Sequence, residues 1–408
     1  MNYRKIKTYI QTVILVLYYI SALPESTMLF ADQGQFYGPC NQLRTITVYA
    51  MYLCAAVSVI HRFMAERDPA EGILRQVFMF PFRHLAMTIP AAAFFICIFA
   101  SKNTYQFKLF MFLIAMSDTD LDNHYKGLFL INVLFMGWIM WMTSQGQIRD
   151  VTAYREGSDI VRHSLGYIFP LDCHGHLLSI VLIYMYLRKQ KFDWYDVIAV
   201  NVPNYLLYTQ TDARTDMIVI VLASITLFIV NKIGQEKFSG YIWSCLEAAG
   251  TLLMGICPFI LTWMYDPEIP WMKKLNSLLS NRLALQKKVV AEEGFSLFGK
   301  PIQWTGWGGY DGTDKPDYNY VDCSFMRDTF DRGISFEVIF LTGCTFLYFF
   351  LNKKKDVTGS ILMFFFLLSA LVEDHIIMIQ FYPIMFLFAG IVMLDNREFL
   401  GLIKRDKE

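Results

Sequence analysis

The sequence predicts an all-α polytopic integral membrane protein with about 12 transmembrane helices and a large extracytoplasmic loop between helices 9 and 10. Three observations carry that expectation. Of 408 residues, 55% are hydrophobic and only 18% charged, with a mean hydropathy of +0.36; an average soluble domain is about 25% charged. Apolar runs recur between polar breaks, and at about 20 residues per helix twelve runs use about 240 residues, leaving about 170 for loops. Lys and Arg gather at alternate breaks, the pattern of cytoplasmic loops. The chain carries 36 Lys+Arg against 36 Asp+Glu, so it lacks the cationic field of a nucleic-acid binder.

The spans follow in order. Arg4, Lys5 and Lys7 precede a first run at about 9–31, which places the N-terminus inside. Pro24 and Glu25 break any small-residue cleavage pattern, so this run reads as an uncleaved helix. The next loop, ADQGQFYGPCNQ, has no Lys or Arg and reads as outside. Span two (about 44–61) returns to a loop holding Arg62, Arg67, Arg75 and Arg83, and span three (about 85–100) leads out again. The short run FKLFMFLIAMS counts as span four because only then do all later cationic clusters fall inside.

Spans five to nine lie at about 127–144, 165–187, 194–209, 216–231 and 241–264. Spans ten to twelve lie at about 334–351, 358–373 and 381–394. The expected organisation is therefore helices 1–9 within 1–264, with an outer loop at 145–164, and a large outer loop at 265–332. Helices 10–12 follow within 333–394, and 395–408 is a cytoplasmic tail. The chain shows no internal repeat, which disfavours a transporter built from related halves. Its eight cysteines form no CxxC pair.

Three outer stretches hold residues suited to chemistry. At the mouth of span eight, TDARTD sets Arg214 between Asp212 and Asp216. Such an Arg either snorkels to water beside its acids or offers paired donors to a phosphate. Before span six, YREGSDIVRHSLGY brings Arg155, Arg162 and His163, with Asp172, His174 and His176 deeper in. His174 and His176 point to different sides of a helix and lack further ligands of metal-site spacing, so no metal is expected. A polar cavity lined by these groups is the functional reading, and a wet helix start the plain one.

The large loop opens on PWMKKLNSLLSNRLALQKKVV, where Leu275, Leu278, Leu279, Leu283, Val289 and Val290 recur at helical spacing opposite Lys273, Lys274, Lys287 and Lys288. That pattern predicts one amphipathic helix at the membrane surface, with Arg282 among its leucines. Trp304, Trp307 and Tyr310 then sit on a Gly-rich stretch near Asp311, Asp314 and Asp317. They form either an interfacial belt or a platform for sugar rings. Asp322 precedes span ten, in the place of a helix cap or an ion-pair partner.

In order, RHSLGY before a Pro, TDARTD at a helix mouth, LLSNRLAL with EGFSLFGKPI, and VDCSF with RGI resemble the Wzy-type polysaccharide polymerases of capsule, exopolysaccharide and O-antigen assembly. The resemblance covers about residues 140–350, and the first 140 share hydropathy only. Family members carry His just before the Pro and often Asn just after it, where this chain has Phe169 and Leu171; they have a late Asn-Ser-Tyr where it has Cys-Ser-Phe, ending at Phe325.

The resemblance implies a metal- and cofactor-independent membrane glycosyltransferase of the bacterial cytoplasmic membrane, with both termini cytoplasmic. Its substrates would be undecaprenyl-pyrophosphate-linked oligosaccharides reached from the lipid bilayer. A flippase and a chain-length regulator of the same pathway are the implied partners. Block transfer of the growing glycan to the non-reducing end of a new repeat unit would proceed with inversion. Arg162, Arg214 and Arg282 would hold the pyrophosphates, and the base would be Asp322, His163, His174 or His176. Trp304, Trp307 and Tyr310 would contact sugar. An O-antigen-ligase-like transferase shares the donor chemistry. A lipid-linked oligosaccharide flippase and a structural or sensor membrane protein are the rivals of other classes.

Overall fold

The computed structural model describes residues 3–154, 160–306, 318–374 and 376–404. Seventeen α-helices make up most of them. The first half holds α1 (Tyr3–Ala22), the single turn α2 (Leu29–Asp32), α3 (Tyr37–Glu66), α4 (Ile73–Arg83), α5 (Leu85–Ser101), α6 (Tyr105–Met116) and α7 (Leu121–Ser144). A short antiparallel hairpin, β1 (Thr152–Tyr154) and β2 (Val161–His163), precedes α8 (Pro170–Arg188), α9 (Trp194–Thr211), α10 (Arg214–Ile233) and α11 (Tyr241–Met264). The second half continues with α12 (Pro270–Leu278), α13 (Arg282–Glu293), α14 (Ser324–Arg332), α15 (Ile334–Lys353), α16 (Val357–Ser369) and α17 (Asn396–Gly401).

Among the described residues, six helical segments are long and apolar enough to cross a membrane, those built on α1, α3, α7, α10, α11 and α15. The pair α4 and α5 passes the same test together but bends by 79° at His84. Helices α6 and α16 are apolar and shorter, as the 12 residues of α6 match the short fourth run read from the sequence. Helices α8 and α9 form where spans six and seven were expected, but are less uniformly apolar. Outward-facing Leu, Ile and Val run along α3, α10 and α11, as expected of helices whose solvent is hydrocarbon.

The helices pack as a continuous series in which α8 joins α7 to α9, α10 and α16. Helix α1 lies against α3 and α7, and α3 against α6, while α10 packs on α9 and α16, and α11 on α15. Between them runs the segment 376–393, nearly all of it buried. The sequence predicts a twelfth α-helical span at 381–394; the structure instead has a 3₁₀ helix, Pro383–Gly390, flanked by turns. Non-helical backbone at this depth is tolerated only where protein surrounds it. Tyr19 Oη donates to the Ile379 carbonyl, and Tyr125 Oη donates to that of Pro383 at 3.2 Å.

The amphipathic helix expected after residue 270 is also revised. It is broken into α12 and α13 by Ser280 and Asn281, both in the left-handed region at φ 53° and 63°. Met272 of α12 and Leu283 and Val289 of α13 are buried, while Leu278 stays exposed.

Candidate functional site

The site lies at the end of the bundle where α5, α9 and α11 finish and α8, α10 and α15 begin. Its first wall is the RHSLG stretch. Ser164 accepts from Val151 N through its hydroxyl at 2.9 Å, and Leu165 N donates to Asp150 Oδ1 at 2.8 Å. Gly166 sits at φ +90°, and a Cβ there would lie 2.1 Å from Thr143 Oγ1, so only glycine fits. This turn anchors β2, whose buried Arg162 donates from Nε to the Thr211 carbonyl at 2.8 Å. The Arg162 guanidinium also lies 5.5 Å from the Phe169 ring centroid. His163 points the other way, with Nδ1 2.6 Å from Asp150 Oδ2.

Thr211 ends α9, and Asp212 takes the left-handed cap at φ 47°, which turns the chain into α10. Arg214 therefore opens α10, its Nε 3.1 Å from Asp212 Oδ1 and its side chain 51% exposed. Two residues further on, Asp216 is fully buried. The two histidines of α8 are buried and occupied. His174 uses Nδ1 on Thr211 Oγ1 (3.1 Å) and Nε2 on Asn204 Oδ1 (2.8 Å). His176 uses Nδ1 on Tyr167 Oη (2.5 Å) and Nε2 on Asn132 Oδ1 (2.7 Å). Both nitrogens of each ring are thus engaged by protein groups.

The second wall comes from the long segment after α11. The break at Ser280–Asn281 makes Arg282 the first residue of α13, and its Nε lies 3.1 Å from Asp322 Oδ2. The motif VDCS is docked by Ser324, whose N donates to the carbonyls of Ala370 (2.9 Å) and Glu373 (3.0 Å). That docking carries Asp322 to the turn after α16, where Glu373 and Asp374 lie. The motifs FSLFG and RGI interlock: Ile334 N donates to Ser296 O and Ser335 N to Leu297 O, both at 3.0 Å. A Cβ on Gly333 would lie 2.3 Å from Leu297 O, and one on Gly299 2.3 Å from Asp331 O.

This interlock fixes α14 and with it Arg327, which the sequence did not single out. Arg327 is stacked on Trp304 at 4.0 Å and near Tyr320 at 4.5 Å, with its Nε 3.1 Å from Asp331 Oδ2 and Nη1 3.6 Å from Asp374 Oδ2. Tyr320 Oη donates to Asp374, and Arg332 pairs with Asp328 inside the fold. Trp304, expected on a sugar platform, gives its indole N–H to Asp331 Oδ1 at 2.8 Å and one face to Arg327. Trp307, Tyr310 and Arg155 lie outside the described residues.

Glu373 joins the two walls, being in electrostatic reach of Asp216, Arg282, Asp374 and Asp172. Its Oε1 is buried without a hydrogen-bond partner among the described residues. Burial raises the Asp322 carboxyl above the usual carboxylate range, and Arg282 opposes that rise. Burial likewise pushes Asp328 up to about 7 against the pull of Arg332. Asp322 remains 27% exposed and Arg282 17%, so the pair faces an opening.

Of the residues proposed from sequence, the structure thus gathers Arg282 and Asp322 in one place and Arg162 with Arg214 on the neighbouring wall. It leaves His163 partly exposed at the protein surface and buries His174 and His176. Arg327, Glu373 and Asp374 complete the site. Arg327 carried no periodic or spacing signal, whereas the sequence marks Glu373, Asp374 and His375 as ionisable groups at the end of span eleven suited to line the same cavity; His375 lies outside the described residues. Compared with known proteins, the chain matches no family model, no curated protein and no solved structure.

Proposed function

We propose that the chain is a membrane glycosyltransferase that polymerises undecaprenyl-pyrophosphate-linked oligosaccharide repeat units at the outer face of the bacterial cytoplasmic membrane. The observation that carries the reading is the meeting of Arg282, Asp322 and Glu373, drawn from motifs far apart in sequence, at one end of an apolar helical bundle. An anionic lipid-linked substrate suits that position, since its tail stays in hydrocarbon while its phosphates meet fixed guanidinium groups.

The chemistry assigns simple roles. An acceptor hydroxyl attacks the donor sugar C1, its proton passes to Asp322, the C1–oxygen bond to phosphate breaks, and lipid pyrophosphate leaves. Arg282 and Arg214 meet the charge that grows on the leaving group, where fixed donors act strongly in a partly dry site. Arg162 holds the helix mouth from behind through the Thr211 carbonyl. Capsule, exopolysaccharide or O-antigen synthesis is the setting, and a ligase-like transfer differs only in acceptor.

A defined lipid-linked repeat unit incubated with purified protein tests this: products of two or more repeats are expected, and their absence with an intact, folded enzyme rejects it. A second reading, a lipid-linked oligosaccharide flippase, draws on the buried acids Asp216 and Glu373, because intramembrane carboxyls commonly mark transport paths. Cells lacking the protein separate the two. Loss of a polymerase leaves single repeats exposed outside, and loss of a flippase keeps them inside.

A further inference from the structure

At the end of the bundle opposite this site, two cavities meet. One, of about 500 Å³, is lined almost wholly by apolar side chains of α5, α6, α15 and the buried 3₁₀ segment, among them Ile89, Phe94, Phe340 and Phe388. The other, of about 750 Å³, is lined by Arg62, Arg83 and Arg397 together with Glu66 and Asp395. Asn396 lines both. Its side chain accepts from Leu85 N at 3.0 Å and donates to the Phe82 carbonyl at 2.8 Å, so it pins the bend between α4 and α5 at the junction.

We infer that these joined cavities seat one anionic phospholipid, its phosphate among Arg62, Arg83 and Arg397 and its acyl chains in the apolar groove along α5. Charge and length both favour that occupant. Three guanidinium groups line this cavity beside two carboxylates; Arg62 is engaged by Glu66 and Glu398 and Arg83 lies 3.7 Å from Glu71, which leaves Arg397, exposed at the rim, as the least neutralised cation among the described residues. Basic pockets between membrane helices suit lipid phosphates. From Leu85 to Phe94 the groove follows nine residues of helix, about 14 Å at 1.5 Å per residue. That matches one leaflet, half of a hydrocarbon core of about 30 Å.

Helix α4 supports the same placement. Leu74, Val77, Phe78 and Phe82 are exposed on one of its sides, while Gln76 and Phe80 are buried on the other. After the 79° bend it lies across the direction of α5, as an amphipathic helix does at a lipid surface. The inference is independent of the polymerase reading.

The test uses the full-length protein purified in mild detergent and native mass spectrometry, with dioleoylphosphatidylglycerol, dioleoylphosphatidylcholine or glycerol 1-phosphate added. One phosphatidylglycerol per chain is expected, retained at least tenfold better than phosphatidylcholine, with no retention of glycerol 1-phosphate. Arg83→Glu with Arg397→Glu should erase the preference, and Thr342→Trp, which fills the groove, should lower phosphatidylglycerol retention at least tenfold. If the double variant does not fold, Arg397→Glu alone decides, with at least a threefold drop expected at that exposed position. Equal retention of both lipids, an unchanged preference in the charge-reversed protein, or full retention by Thr342→Trp overturns the proposal. Capture of glycerol 1-phosphate overturns it in favour of a free-anion site.

Discussion

Arg282 Nε lies 3.1 Å from Asp322 Oδ2, a residue 40 positions further along the chain. That contact closes the long segment after α11 onto the turn following α16 and holds a half-buried carboxylate in place. Removing only the cation leaves Asp322 desolvated without a partner, which costs more than removing both. Arg282→Ala should lower unfolding stability by about 1–3 kcal/mol, the pair being partly screened by solvent. The Arg282→Ala/Asp322→Ala double variant should fall short of the summed single losses by about 0.5–3 kcal/mol in detergent unfolding curves. Strict additivity would mean the contact does not exist in solution.

Arg214 separates folding from function. Its ion pair with Asp212 is half exposed, so Arg214→Ala should change stability by less than about 1 kcal/mol. The proposed reaction nevertheless predicts that the variant, at wild-type expression, makes no long polymer in cells. Arg214→Lys should restore only a small part of it, because an ammonium lacks the paired donors of a guanidinium. Normal chain length in Arg214→Ala cells would remove this residue from the mechanism.

The interlocked glycines predict an unequal pair of effects. Gly294 and Gly333 both have positive φ, but a Cβ at Gly294 meets nothing within 4 Å while one at Gly333 collides with the Leu297 backbone. Gly294→Ala should therefore cost about 1–2 kcal/mol from backbone conformation alone. Gly333→Ala should lose several times as much melting temperature, and proteolysis should cut between α13 and α14 faster. Equal shifts would argue that segments 297–299 and 331–333 are not in contact.

Much of the bundle was legible because hydropathy and charge act locally: α1, α3, α7, α10, α11 and α15 form where apolar runs lie. Segment 381–394 was not, since an apolar run reads alike as a span or as buried 3₁₀ chain, and only its neighbours decide. Likewise the leucine spacing of 275–290 signalled a helix but not its break, because Ser280 and Asn281 adopt left-handed backbone by tertiary demand. In the site, Arg282 and Asp322 stood out as charges among apolar residues. The filled valences of His174 and His176 depend on Asn132, Asn204 and Thr211, polar residues with no motif of their own.

Asp328 ties stability to pH. Burial raises its carboxyl from an ordinary 3.8 to about 7. Between those values the folded protein holds a proton that the unfolded chain has released, so stability should fall as pH rises from about 4 to about 7 and level off above. Thermal melts of wild type and Asp328→Asn across that range provide the measurement. The variant should lose this component of the slope, and an unaltered slope would assign the titration elsewhere.

Asp322 ties the proposed reaction to pH in the opposite sense, because a base must be ionised to accept the acceptor proton. Its carboxyl titrates above the ordinary carboxylate range, so the rate should rise with pH on an acid limb displaced upward from that range. Arg282 favours the ionised form, and replacing it with a neutral side chain removes that opposition to burial. In Arg282→Gln the limb should move to still higher pH, in addition to any loss of maximal rate from weaker phosphate binding. Chain elongation on a defined lipid-linked repeat, followed from pH 4 to 9 in both proteins, reads the two effects separately. A limb that stays in place while the maximum falls would confine Arg282 to phosphate binding and move the base away from Asp322, with Glu373 next in line through its Oε1, which is buried without a hydrogen-bond partner among the described residues.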